Sequence, residues 1–355
     1  MTGLISGSIP CHPERLRGQV LEMCWRAAPR QNRVSFLTYK TTTRPVGHAG
    51  REELIERKPA SAIDSLCFHW PEYLMEAAEV GLYLLLTCIF ASLVLYPASP
   101  VHHFIRSPVG LRALTGLAVG ATVVAIVMSP WGKQSGGHFN PALTLAFYRL
   151  GKMRLSDAFF YVVAQFAGAI GGVCIARLIL PHAVGRQAMR YAVTAPGIGG
   201  SAVAFLGELL ISFVLMLTIL VASSRETLAG YTPYLVGFLY TTFIIVEAPL
   251  SGMSMNPARS LAPALHAGCW HALWLYLAAP TLGTLVAAEI FLRARGGIRP
   301  FCAKLHHASD KRCIFRHGPP ARFQTCLKGE SECTPKGKFL QLNRAERQSP
   351  KTTIW

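Results

Sequence analysis

The chain has 355 residues, 51% of them hydrophobic and only 15% charged, with a formal net charge of +17. A soluble domain carries about a quarter charged residues, so the composition is too apolar for one and points to a membrane. The basic excess does not indicate a nucleic-acid partner, because it sits at the ends: 10 of the 35 Lys and Arg precede residue 71, and 14 lie from Arg293 onward, as expected where basic flanks are retained on the cytoplasmic side.

Residues 1–70 are polar, basic and aperiodic, and are expected to form a disordered cytoplasmic extension. No short apolar stretch with a small-residue cleavage site opens the chain, so no signal peptide is expected. From there six stretches reach the roughly 20 mostly apolar residues that a crossing needs: 73–96, 111–129, 157–180, 202–222, 233–250 and 271–292. Two shorter ones, 140–149 and 256–265, each open with Asn-Pro-Ala, as Asn140-Pro141-Ala142 and Asn256-Pro257-Ala258. Asn caps a helix well and Pro suits its first turn, so each reads as a half-helix entering the membrane. Broken backbone at that depth is tolerated only inside protein or against a water-filled cavity. The even number of spans puts both basic ends on one face, and Arg149, Lys152 and Arg154 fall there too, which assigns both termini to the cytoplasm.

The chain also repeats itself. The segment around Glu79 resembles that around Glu208, and SGGHFNPALTLA at 135–146 resembles SGMSMNPARSLA at 251–262. Three spans per repeat is odd, so the halves, about 73–190 and 200–295, insert upside down relative to each other, with the functional site at their interface near the midplane. The predicted fold is an all-α membrane protein, with six transmembrane helices and two half-helices that meet N-terminus to N-terminus in a channel domain over 71–295.

Two Asn-Pro-Ala motifs, each preceded by Ser-Gly and the second extended to Asn-Pro-Ala-Arg-Ser, in an inverted three-span repeat resemble the aquaporin (major intrinsic protein) family over about residues 72–295. The resemblance implies a channel that passes water and other small neutral solutes, excludes protons and ions, needs no cofactor, and assembles as a homotetramer in the cell or plasma membrane. No clustered nucleophile, base and metal suggests an enzyme. Asn140 and Asn256 would present N–H donors where two positive helix ends face the pore, orienting a water and breaking the proton wire. Arg259 would line the narrowest constriction. Family spacing adds Val119 (or Gly120), Ile244 and Met253 to that selectivity filter. Glu79 and Glu208 are expected to support the re-entrant loops by accepting backbone N–H bonds, and His138 to anchor its loop.

The solute signals conflict. An aromatic and a His typical of strict water channels are absent from the filter, and Leu277 leans towards glycerol, whereas Ser260, Ala264 and Tyr276 are of the water type. Water with additional small neutral solutes is the expected cargo. The alternatives are a glycerol-type small-polyol facilitator and a non-conducting junction protein of the same fold. Within the basic tail, 296–355, Cys302, His306, His307, Cys313 and His317 fall within sixteen residues. Cys302, His306, Cys313 and His317 are candidate zinc ligands, against the alternative of a basic segment lying on anionic headgroups with incidental Cys and His.

Overall fold

The computed structural model describes residues 61–185, 189–297, 299–307 and 311–317, and every regular element among them is a helix. The first span is longer than its apolar stretch. It runs Ala62–Leu95, and its start is a capping box: Ser61 Oγ accepts from the Asp64 N–H at 3.1 Å, and the Asp64 carboxylate accepts from the Ser61 N–H at 3.0 Å. The predicted boundary at residue 70 therefore falls inside a helix, which continues through Pro71. Side chains from the third span hold this added length in place. Asp157 accepts from the Tyr73 hydroxyl at 2.7 Å and lies 2.8 Å from His69 Nδ1, and the hydroxyls of Ser65 and Ser156 are 2.8 Å apart. Residues 1–60, the rest of the predicted extension, lie outside the described residues.

The remaining spans are Pro108–Met128, Leu155–Ile179, Gly200–Ser223, Thr232–Val246 and Leu273–Ala294. Five of the six helices are long and apolar enough to cross a membrane, and the fifth in order has 15 residues, about 22 Å at 1.5 Å per residue. The predicted 233–250 is broken at Glu247, after which a separate turn of helix, Ala248–Ser251, carries the chain inward. The second span ends likewise in the short helix Pro130–Ser135. Both short helices stop at a glycine in the left-handed region, Gly136 at φ 107° and Gly252 at φ 82°. The chain then turns into the half-helices Pro141–Arg149 and Pro257–Ala267.

Packing follows the same two-fold pattern. The first span lies along the third, the fourth along the sixth, and the second against the fifth, while both half-helices pack on the third and sixth spans. Small residues permit the close approaches. A Cβ added at Gly168 would sit 2.0 Å from the Ala77 carbonyl oxygen, one at Gly172 2.2 Å from that of Gly81, and one at Gly283 2.3 Å from that of Leu209. Outward-facing Leu74, Leu93, Leu117, Phe159, Leu206 and Phe238 stay exposed, as a lipid-facing surface requires.

Candidate pore and its two Asn-Pro-Ala loops

The two half-helices meet through a reciprocal lock. Asn140 caps its helix by accepting from the Ala142 N–H at 2.9 Å, and its Nδ2 donates across to the Met255 carbonyl at 2.8 Å. Asn256 accepts from the Ala258 N–H at 2.9 Å and donates to the Phe139 carbonyl, also at 2.8 Å. Each amide carries two N–H groups, and one of them fixes the opposite loop. The carbonyls are presented by left-handed backbone at Phe139 (φ 32°) and Met255 (φ 55°), a conformation that costs energy in a non-glycine residue and collects at functional loops.

Carboxylates hold those loops. Glu208 accepts from the N–H groups of Ser254 at 2.6 Å and Met255 at 2.8 Å and from the Ser251 hydroxyl at 2.6 Å. Its counterpart is Glu76, which accepts from the N–H groups of His138 at 3.0 Å and Phe139 at 2.7 Å and from Gln165 Nε2 at 2.7 Å. The expectation placed on Glu79 is therefore corrected: among the described residues Glu79 accepts only from the Ser135 hydroxyl, at 2.8 Å. The two acids are three residues apart on one helix face, and the apolar match between repeats could not distinguish them. Gln165, which also donates to Thr144 Oγ1 at 3.0 Å, carries no motif of its own and was missed. His138 lies on the same loop as Phe139. It is fully buried, with Nδ1 3.2 Å from Thr144 Oγ1, and its ring stacks on Phe147 at 4.9 Å between centroids. Its Nε2 must donate to the Ala303 carbonyl at 2.9 Å, which assigns the tautomer.

Of the predicted filter residues, Val119, Met253 and Arg259 are buried and Ile244 is partly so. Gly120 packs against the fifth span, where an added Cβ would lie 2.5 Å from the Gly237 carbonyl. Arg259 Nη1 donates to the Ala192 carbonyl at 2.8 Å, on a turn where Arg190, Tyr191 and Ala192 are all left-handed. Two aromatics went unremarked in the sequence. Tyr83 of the first span and Tyr240 of the fifth meet edge to face at 6.0 Å, and Tyr83 also lies 5.8 Å from Phe139. Tyr240 lies one helical turn before Ile244, which is the signal that could have found it. Ser260 joins a run of hydroxyls, 2.6 Å from Ser254 Oγ and 2.7 Å from Thr194 Oγ1.

Residues 65–291 match the family described as Major intrinsic protein. The chain belongs to that family. Soybean nodulin-26 is 32% identical over 234 residues, covering 66% of this chain and 82% of that protein. Aquaporin NIP1-1 of Arabidopsis thaliana is 33% identical over 192 residues, covering 53% of this chain and 64% of its own length. A protein of Lactiplantibacillus plantarum named glycerol uptake facilitator protein-like 6 is 34% identical, covering 55% and 85%. The solved aquaglyceroporin of Plasmodium falciparum aligns with TM-score 0.52 at 20% identity, covering 63% of this chain and 95% of its own, a likeness of fold. The chain is thus a multi-pass membrane channel protein of the major intrinsic protein family. Its matched region holds both Asn-Pro-Ala motifs and Arg259 and ends before residue 299.

Beyond the match, residues 299–307 and 311–317 pack against the channel, through bonds such as those from the Leu305 N–H to the Gly136 carbonyl and from Lys304 Nζ to the Lys133 carbonyl. Cys302, Cys313 and His317 come together as expected, but the fourth residue beside them is His307 and not His306. His306 is buried elsewhere. Cys326 and Cys333 lie outside the described residues.

Proposed function

We propose that this chain passes water, with other small neutral solutes as additional cargo, and holds back protons and ions. The observation that carries the reading is the reciprocal lock of Asn140 and Asn256. Two helix N-termini with their partial positive charge converge there, and each amide keeps one N–H for the lumen. A water accepting from both has its own hydrogens turned outward, so a proton cannot hop through it, and the helix ends repel cations. Arg259, oriented by the Ala192 carbonyl, would act as the second barrier and as a donor to the solute. The wall beside it would be Val119, Ile244 and Met253, with Tyr83 and Tyr240 narrowing the path towards the Asn pair. No enzymatic role is needed.

Solute choice would lie at the carbon-lined filter. A molecule in single file sheds part of its hydration, and each lost hydrogen bond costs about 1–3 kcal/mol unless replaced. Arg259 replaces some, while the other three side chains offer contact only, which favours a solute carrying CH groups beside its hydroxyls. Glycerol as main cargo is the second reading, supported by the likeness to the Lactiplantibacillus plantarum protein. Further parts of the proposal are assembly as a homotetramer with one pore per subunit and residence in the cell or plasma membrane with both termini in the cytoplasm. The experiment is stopped-flow permeability of reconstituted vesicles to water and glycerol, for wild type and Ile244→His. The added donor and smaller opening should lower the ratio of glycerol to water permeability. An unchanged ratio in a folded, conducting variant would place the filter elsewhere.

A further inference from the structure

Cys302, His307, Cys313 and His317 each bring one ligand atom to within 4.8 Å of the others. The sulfurs of Cys302 and Cys313 are 3.5 Å apart, and His317 Nε2 lies 3.1 Å from Cys313 Sγ. With zinc–sulfur bonds of about 2.3 Å and zinc–nitrogen bonds of about 2.0–2.1 Å, a tetrahedral site has edges of roughly 3.3–3.8 Å, so only small side-chain adjustments are needed. Both thiols are free. The imidazoles are held by aromatic packing. Phe301 stacks on His317 at 5.2 Å and 11° and meets His307 edge-on at 5.0 Å, and the two His rings are themselves edge to face at 5.2 Å. His307 Nδ1 is buried without a hydrogen-bond partner. Two thiols and two imidazoles at this spacing suit zinc rather than the hard, oxygen-seeking cations.

The position of the cluster gives it a consequence. Each pair of ligands brackets residues that press on the first re-entrant loop. Between Cys302 and His307, the Ala303 carbonyl accepts from His138, the Leu305 N–H donates to the Gly136 carbonyl at 3.0 Å, and the buried Lys304 donates to the carbonyls of Lys133 at 2.7 Å, Lys311 at 3.2 Å and Arg312 at 2.8 Å. Burial pushes the Lys304 ammonium below its usual range. Between Cys313 and His317, Phe315 stacks on the free face of His138 at 5.4 Å, and the Arg316 N–H donates to the Lys152 carbonyl at 2.9 Å. His138 is thus clamped between Phe147 and Phe315, two residues before Asn140. The described residues of the clamping segment have no regular secondary structure, so a cross-link between its two limbs would contribute much of its rigidity.

We propose that Cys302, His307, Cys313 and His317 form a zinc site that fastens residues 299–307 and 311–317 over the mouth leading to the first Asn-Pro-Ala, so that metal occupancy sets how freely that mouth admits solute. The second clause rests on the channel reading; the first does not. The full chain, purified in detergent under reducing conditions, is titrated with zinc against a competing chromophoric chelator, and its metal content is measured directly. One zinc per chain is expected. Cys313→Ser and His307→Ala should each weaken binding by at least about 100-fold, the upper end of what even an outer-shell partner supplies, while His306→Ala leaves it unchanged. Zinc binding that these variants do not alter, or a Cys302–Cys313 disulfide that persists in reductant, would overturn the site. In vesicles, chelation should raise water permeability of the wild type and leave a Cys302→Ser/Cys313→Ser double variant unaffected. Equal permeability of loaded and chelated wild type would overturn the control of the mouth. No water permeability in either state would instead count against the channel reading, with the metal titration still deciding the site.

Discussion

Glu76 and Glu208 each hold two consecutive backbone N–H groups of a loop that no helix or sheet satisfies. Removing such an acceptor leaves buried donors orphaned, at about 1–3 kcal/mol for each. Glu76→Ala is therefore expected to destabilise the protein by roughly 2–6 kcal/mol on that scale, and Glu79→Ala, which orphans one hydroxyl donor, by only about 1–3 kcal/mol. Thermal unfolding in detergent compares them, and equal losses would show the support role to be misassigned. The contrast marks how far residue types alone could be read. Asn140, Asn256 and Arg259 stand in motifs whose chemistry is local, so their positions were legible. Choosing Glu76 over Glu79, or recognising Gln165 and the Tyr83–Tyr240 pair, depends on which side of a helix faces a loop distant in sequence, and a three-residue shift changes that without altering the apolar pattern.

Hydropathy located the six long segments, because their length and apolarity are imposed by the bilayer, and the Asn-Pro-Ala starts located the two half-helices. Their ends were less legible. The first span extends to Ala62 through Pro71 because Asp157 and Ser156, far along the chain, offer partners to His69, Tyr73 and Ser65. The fifth is cut at Val246 so that Ala248–Ser251 can mirror Pro130–Ser135 and aim the second loop. Close helix contacts also decide what the small residues are for. At Gly168 any side chain would enter the Ala77 backbone, whereas nothing lies within 4 Å of a Cβ at Gly171. Gly168→Leu should cost more than about 3 kcal/mol as an overpacked core substitution, and Gly171→Ala should be neutral or stabilising by up to about 1 kcal/mol. Native mass and thermal unfolding of the purified variants read this, with the wild type and Gly171→Ala expected at four copies. A folded Gly168→Leu protein would refute the packing, and a stable wild-type monomer that conducts would refute the tetramer.

On the scale of the whole molecule, two inverted halves are tied at the centre by the Asn pair and covered on one side by a segment from outside the repeat. The repeat could be read from the sequence because it is written twice. The covering segment could not, since Ala303, Leu305 and Phe315 acquire meaning only against His138 and Gly136. Whatever the state of that cover, the proposed function gives charge selection at the centre to the two half-helix ends and the two amides, which would admit a neutral hydrogen-bonding molecule and repel a charged one. The most direct measurement is of osmotic water flux and proton flux in the same vesicles, with protein and without. The expected result is faster osmotic shrinkage with no matching acceleration of pH equilibration. A proton flux that rises in step with the water flux would contradict the central role given to Asn140 and Asn256.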